Sequence, residues 1–298
     1  MVYFTCFKSK YAPVAQGLEH HAYNVGVGGS KPPRRTKSSQ IRLLFVLNTI
    51  FCYTNSIMNT NKTQQNLLIE RAKCIMKKTH DPIHDIHHVT RVVEFSKKLA
   101  HETKLSEKEI DILTLAAWWH DTSRTLTKKP SVIIMPFLDD AISAFLLLIT
   151  ALRFRFFFNS IIRTAIKIIF CKTIGTGGYL RKTLLTKKQQ VLADILHDAD
   201  MLDILHEKRA KEMFTLAESS PIYHVGYKLA VWWFLSTSAL KTKTKAAKKY
   251  LLLLLEDFLF WIKQKDILLW HVQKYGQKWV TKQITKCSKN VLQLKTAL

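Results

Sequence analysis

Three short segments bring imidazoles and carboxylates together: HDIHHVTRV (residues 84–92), AAWWHDTSR (residues 116–124) and LHDADMLD (residues 196–203). The middle one sets His120 beside Asp121. Neighbouring residues on a helix point apart, so both can face one ion only where a helix finishes, and the Thr122-Ser123 pair is compatible with such an end. His88 and Asp200, on other helices, would complete an N/O ligand set. Mixed imidazole and carboxylate ligands suit Mn²⁺, Fe²⁺, Ni²⁺, Zn²⁺ or, less well, Mg²⁺. Four protein ligands leave room for water on a six-coordinate ion, and bound water acidified toward neutral pH is a nucleophile for phosphorus.

Around these ligands stand groups with a second use. Arg91 lies three residues after His88, on the same helix face one turn on. It is a candidate to hold a substrate phosphate bidentately, or else a salt-bridging arginine, with Asp85 as partner. Arg124 is a second phosphate-clamp candidate, its alternative being a solvated loop arginine. His84 precedes His88 by four residues and is a candidate for proton transfer or substrate binding, or a histidine that supports the ligands. Asp85 is expected to orient a ligand imidazole. Asp198 and Asp203 offer the same service, with helix-surface carboxylates as the plainer reading of both. His87 and His197 have no expected role.

The elements that must position these residues read as helices. Apolar residues recur at helical spacing over 64–78, 88–101 and 107–120. Ser106 followed by Glu107 and Glu109 reads as an N-cap with acids in the first turn. Pro82 ends the first helix, and a break is expected around 128–130. Residues 139–170 predict two helices divided near 153–159, Gly175, Gly177 and Gly178 a turn, and 186–206 a further helix. The chain from Val225 onward is helical and Lys-rich. Nothing alternates with period two for long, and glycine and proline are scarce at nine and seven. The expected fold class is all-α.

The ordered set H…HD…D resembles the signature of the HD superfamily, and HDxxHVxRV, HD and DADxLD together are similar to one bacterial branch of HD-domain phosphohydrolases. The resemblance covers roughly residues 65–265, since LKTKTKAAKKYLLLLLEDFLFWI (residues 240–262) also resembles that branch's closing helices. It implies an HD-domain helical bundle and a metal held by His88, His120, Asp121 and Asp200. Binuclear relatives place extra histidines between the second and third segments. This chain has none between Asp121 and His197, which implies one divalent ion (Mn, Fe, Ni, Mg or Zn). Cys171 falls where many relatives carry a histidine, and reads better as a buried thiol than as a ligand. The unusually apolar stretch 145–170 is expected to narrow or alter the substrate pocket.

The whole chain has 298 residues and a net charge of +24. A surface that basic attracts phosphate-bearing partners, although a Lys-rich composition also follows from an AT-rich genome. The five cysteines are scattered and form no CxxC, which argues against a disulfide framework and for a reducing compartment. Residues 1–57 read as a poorly structured, non-native extension with a single acid, Glu19, and residues 12–37 resemble the conceptual translation of a transfer-RNA gene. The rival reading of residues 42–58 as a signal anchor meets a run interrupted by Asn48 and Asn55 and short of the ~20 residues that a span needs. The expected organisation is an HD-type domain over 58–265 and a basic helical tail over 266–298, in a soluble cytoplasmic protein. The expected function is metal-dependent hydrolysis of a phosphate mono- or diester on a phosphorylated small molecule or nucleotide. The alternative is a degenerate module binding nucleotide or nucleic acid through its basic surface, and no membrane partner is expected.

Overall fold

The computed structural model describes residues 61–126, 135–172, 176–236 and 242–298. Among them are twelve α-helices and no strand, so the chain is all-α. Residues 64–298 form one compact unit. The expected break at 128–130, the extension and the anchor candidate lie outside the described residues.

The helices that build the centre come first. Helices α1 (Asn61–Met76), α2 (Ile86–Glu102) and α3 (Glu107–Trp119) are followed by a 3₁₀ turn over Thr122–Leu126 and by α4 (Met135–Arg153) and α5 (Ser160–Phe170). Next come α6 (Thr176–Leu184) and α7 (Lys187–Ile204). Helix α7 packs along α2 and also touches α3 and α5. Val89, Val92 and Leu99 of α2 and Leu192, Leu196 and Leu202 of α7 are buried, each such side chain stabilising by about 1.5–3 kcal/mol relative to exposure. The N-termini of α3 and α7 carry capping boxes, Ser106 with Glu109 and Thr186 with Gln189.

One expectation is corrected here. Gly177 and Gly178, read with Gly175 as a turn, lie within α6, where packing against α4 and α5 overrides the roughly 1 kcal/mol that each helical glycine costs; Gly175 lies outside the described residues. The apolar run over 145–170 does not all turn inward: Leu147, Ile162 and Ile168 are buried, but Phe145, Ile149, Leu152 and Phe158 face solvent.

The rest forms a C-terminal layer: α8 (Glu207–Ser219), α9 (Pro221–Ser236), α10 (Lys245–Ile262), α11 (Lys265–Tyr275) and α12 (Gln277–Ala297). Helix α10 packs on α7 and α2, and α12 packs on α9, α10 and α11. Gly276, at φ +83, makes the bend between α11 and α12 in a conformation other residues resist. Cys171 and Cys287 are free buried thiols. No described helix is long and apolar enough to cross a membrane.

Candidate metal centre

Helix α3 ends at Trp119, whose indole N–H is anchored 3.0 Å from the Leu68 carbonyl oxygen, and the chain tightens into the 3₁₀ turn at Thr122. That change of pitch lets the adjacent His120 and Asp121 side chains converge: His120 Nε2 lies 3.5 Å from Asp121 Oδ2. From α2, His88 Nε2 stands 3.1 Å from the same oxygen and 3.5 Å from Asp200 Oδ1 on α7. His120 Nε2 is 3.8 Å from that Asp200 oxygen. The potential ligand atoms of His88, His120 and Asp200 all lie within 4.8 Å of one another.

The imidazoles are oriented from behind. His120 Nδ1 lies 2.7 Å from the Ala117 carbonyl oxygen, so this nitrogen donates and Nε2 is the one turned to the site. That Nε2 is buried and has no hydrogen-bond partner, which leaves an unsatisfied nitrogen facing two carboxylates, an arrangement that a cation satisfies. His88 Nδ1 lies 2.7 Å from Asp203 Oδ2, the carboxylate–histidine arrangement that fixes a ligand's tautomer. Asp85 acts on the same residue through the backbone: it is the N-cap of α2 and accepts from the His88 N–H at 2.8 Å.

The basic groups nearby are bonded to carboxylates. Arg91 Nε donates to Asp203 Oδ1 at 2.5 Å, and Arg209 Nη1 lies 3.1 Å from Asp203 Oδ2. Arg124 pairs with Asp139, which also accepts from the Ser123 hydroxyl. Lys172 Nζ bridges Asp200 Oδ2 at 2.8 Å and Asp140 Oδ1 at 3.4 Å. The lysine thus occupies one oxygen of Asp200 and leaves the other toward the imidazoles.

These contacts set the ionisation. Burial opposes charge on Asp200, but Lys172 holds its carboxyl well below the usual range. Asp121 is likewise well lowered, as the neighbouring imidazoles of His120 and His88 outweigh its burial. Burial raises Asp139 to about 7 despite Arg124. His84, bonded through Nδ1 to Asp81 at 2.9 Å, is pushed down to about 4 by burial.

No family model, curated protein or solved structure matches this chain. The geometry therefore stands on its own residues. It brings His88, His120, Asp121 and Asp200 together, with His84 beside them at 5.6 Å between its ring and that of His88. It puts Arg91 and Arg124 on internal carboxylates rather than at an open face. Asp198 is not a helix-surface carboxylate: it is buried and accepts from the N–H groups of Lys243 and Thr244 at 2.9 and 2.8 Å. Asp203 is buried too, behind His88. Lys172, Arg209, Asp139 and Asp140 carry no sequence signal that marks them. The nearest clue is the lysine that follows Cys171, just past the apolar end Ile168-Ile169-Phe170 of a helix.

Proposed function

We propose that this chain binds one divalent cation through His88, His120, Asp121 and Asp200 and hydrolyses a phosphate ester there. The observation that carries the reading is the buried, unpartnered His120 Nε2 turned toward two ionised carboxylates. A bound cation would supply charge neutralisation at the phosphoryl group and acidify a water molecule.

The chain's own residues supply the rest. Asp203 fixes the His88 ring, and Lys172 fixes Asp200. The side chains of His88 and His120 are fully buried, whereas Asp200 and His84 keep 22% and 18% of their exposure. Substrate therefore approaches over Asp200 and His84. His84, neutral at pH 7, accepts or returns a proton at that edge. Mn²⁺, Fe²⁺, Ni²⁺, Zn²⁺ and Mg²⁺ are all compatible with this donor set.

Metal analysis of the purified protein, followed by a panel of nucleotides and p-nitrophenyl phosphate mono- and diesters, tests the proposal. About one metal per chain and turnover of at least one ester are expected, both lost in His120→Ala with the helical circular-dichroism signal retained. Turnover that survives His120→Ala removes the assignment. The engagement of Arg91 and Arg124 by Asp203 and Asp139 favours a second reading, a scaffold that binds nucleotide or nucleic acid without turnover. Metal retention without hydrolysis, together with salt-steep binding of RNA or DNA, selects it.

A further inference from the structure

Helix α4 has two unlike sides. Its inner side buries Asp139, Asp140, Ser143, Ala144 and Leu147, the first two beside the metal centre. Its outer side exposes Leu138, Phe145, Ile149 and Leu152 at 43, 57, 46 and 51%. Their spacing of seven, four and three residues draws one stripe along the helix. The stripe runs into the turn between α4 and α5, where Phe158 is 85% exposed.

Charge distinguishes this surface from an ordinary apolar patch. No Asp or Glu occurs between Asp140 and Asp194, while that stretch holds nine bases: Arg153, Arg155, Arg163, Lys167, Lys172, Arg181, Lys182, Lys187 and Lys188. Lys172 is buried in the centre, but Arg155 and Arg163 are exposed and flank Phe158 within five residues in sequence. Large exposed aliphatic and aromatic side chains with exposed arginines beside them meet the requirements of the boundary between acyl chains and anionic headgroups.

We propose that the α4–α5 corner docks on an anionic lipid bilayer, with Ile149, Leu152 and Phe158 entering the interface and Arg155 and Arg163 meeting headgroup phosphates. This revises the expectation that no membrane takes part. It requires no spanning helix, and none is present among the described residues. A nucleic acid would pair with the arginines but has no use for Ile149 and Leu152. A second copy of the chain would oppose Arg155 and Arg163 to the same two arginines. The lipid surface answers both the charge and the apolar stripe.

Co-sedimentation of the full chain with phosphatidylcholine vesicles, with and without about one third phosphatidylserine, tests the proposal. Binding is expected with the anionic vesicles and to fall with salt. The double variants Ile149→Asp/Phe158→Asp and Arg155→Glu/Arg163→Glu should each weaken it by about tenfold or more. All four positions are exposed, so circular dichroism should be unchanged. His120→Ala should bind vesicles like the parent chain, which separates this surface from the metal reading. Absence of anionic-vesicle binding overturns the proposal, as does binding indifferent to Ile149→Asp/Phe158→Asp. Without vesicle binding, oligonucleotide binding lost on Arg155→Glu/Arg163→Glu makes the face a nucleic-acid surface. Self-association removed by Phe158→Asp, again without vesicle binding, makes it a contact between copies.

Discussion

Asp203 illustrates how much of the centre rests on single side chains. One buried carboxylate receives His88, Arg91 and Arg209. Asp203→Ala would strand two guanidinium groups away from water, at a cost of about 3–5 kcal/mol, read as a lower urea midpoint. Asp203→Asn should weaken metal binding by roughly 10- to 100-fold in a competition titration, because the His88 ring loses its orienting charge. His197 gives a pH test. Burial, with help from Lys243 and Lys172, pushes its imidazole down to about 4, while in the unfolded chain it titrates near 6.5. Between those values the unfolded state binds the extra proton, so stability is full above about pH 6.5 and falls as pH drops toward 4. His197→Gln should flatten that fall in melting temperature. The candidates His88, His120, Asp121 and Asp200 are legible in sequence because three His- and Asp-bearing segments occur in the order H…HD…D, where a lone His-Asp pair would carry no signal. Lys172 and Arg209 are not, being two of 46 Lys and Arg, with partners in distant segments.

Helices are placed by their ends as much as by their faces. Asp198, two residues before Asp200, clamps the start of α10 through Lys243 and Thr244, whose hydroxyl also donates to it at 2.7 Å. Asp198→Ala leaves part-buried donors of Lys243 and Thr244 without their acceptor, at about 1 kcal/mol each. Amide exchange should quicken at the first turn of α10. At the end of α4, Phe156 N–H reaches the Ala151 carbonyl at 2.8 Å, with Arg155 at φ 59 in the left-handed position. A glycine is easier there, so Arg155→Gly should raise stability by about 1 kcal/mol. Apolar periodicity predicts α2, α3, α5 and α7 from the sequence, because each buries one broad face. It misses α6, whose glycines say turn while its neighbours impose a helix. It also gives no breaks in the basic tail, where helices stop at Lys263 and Gly276.

At the scale of the whole molecule, the C-terminal helices cover the bundle rather than trail from it. Helix α12 buries Val280, Cys287 and Val291, and Cys287 Sγ lies 3.8 Å from the Leu255 carbonyl. Removing residues 265–298 would bare that side of α10, and rapid proteolysis with a lowered melting temperature is the expected result. The all-α class is readable from composition and periodicity alone, whereas the layering of α8–α12 depends on contacts between remote segments. Such remoteness has a consequence for biosynthesis. His88 and Arg209, in contact through the His88 ring, are 121 positions apart in the chain. Translation delivers His88, His120 and Asp121 well before Asp200, Asp203 and Arg209 leave the ribosome. A nascent polypeptide therefore holds only part of the proposed donor set, and a cation bound there would join the chain as a late event of maturation, after α8 has emerged.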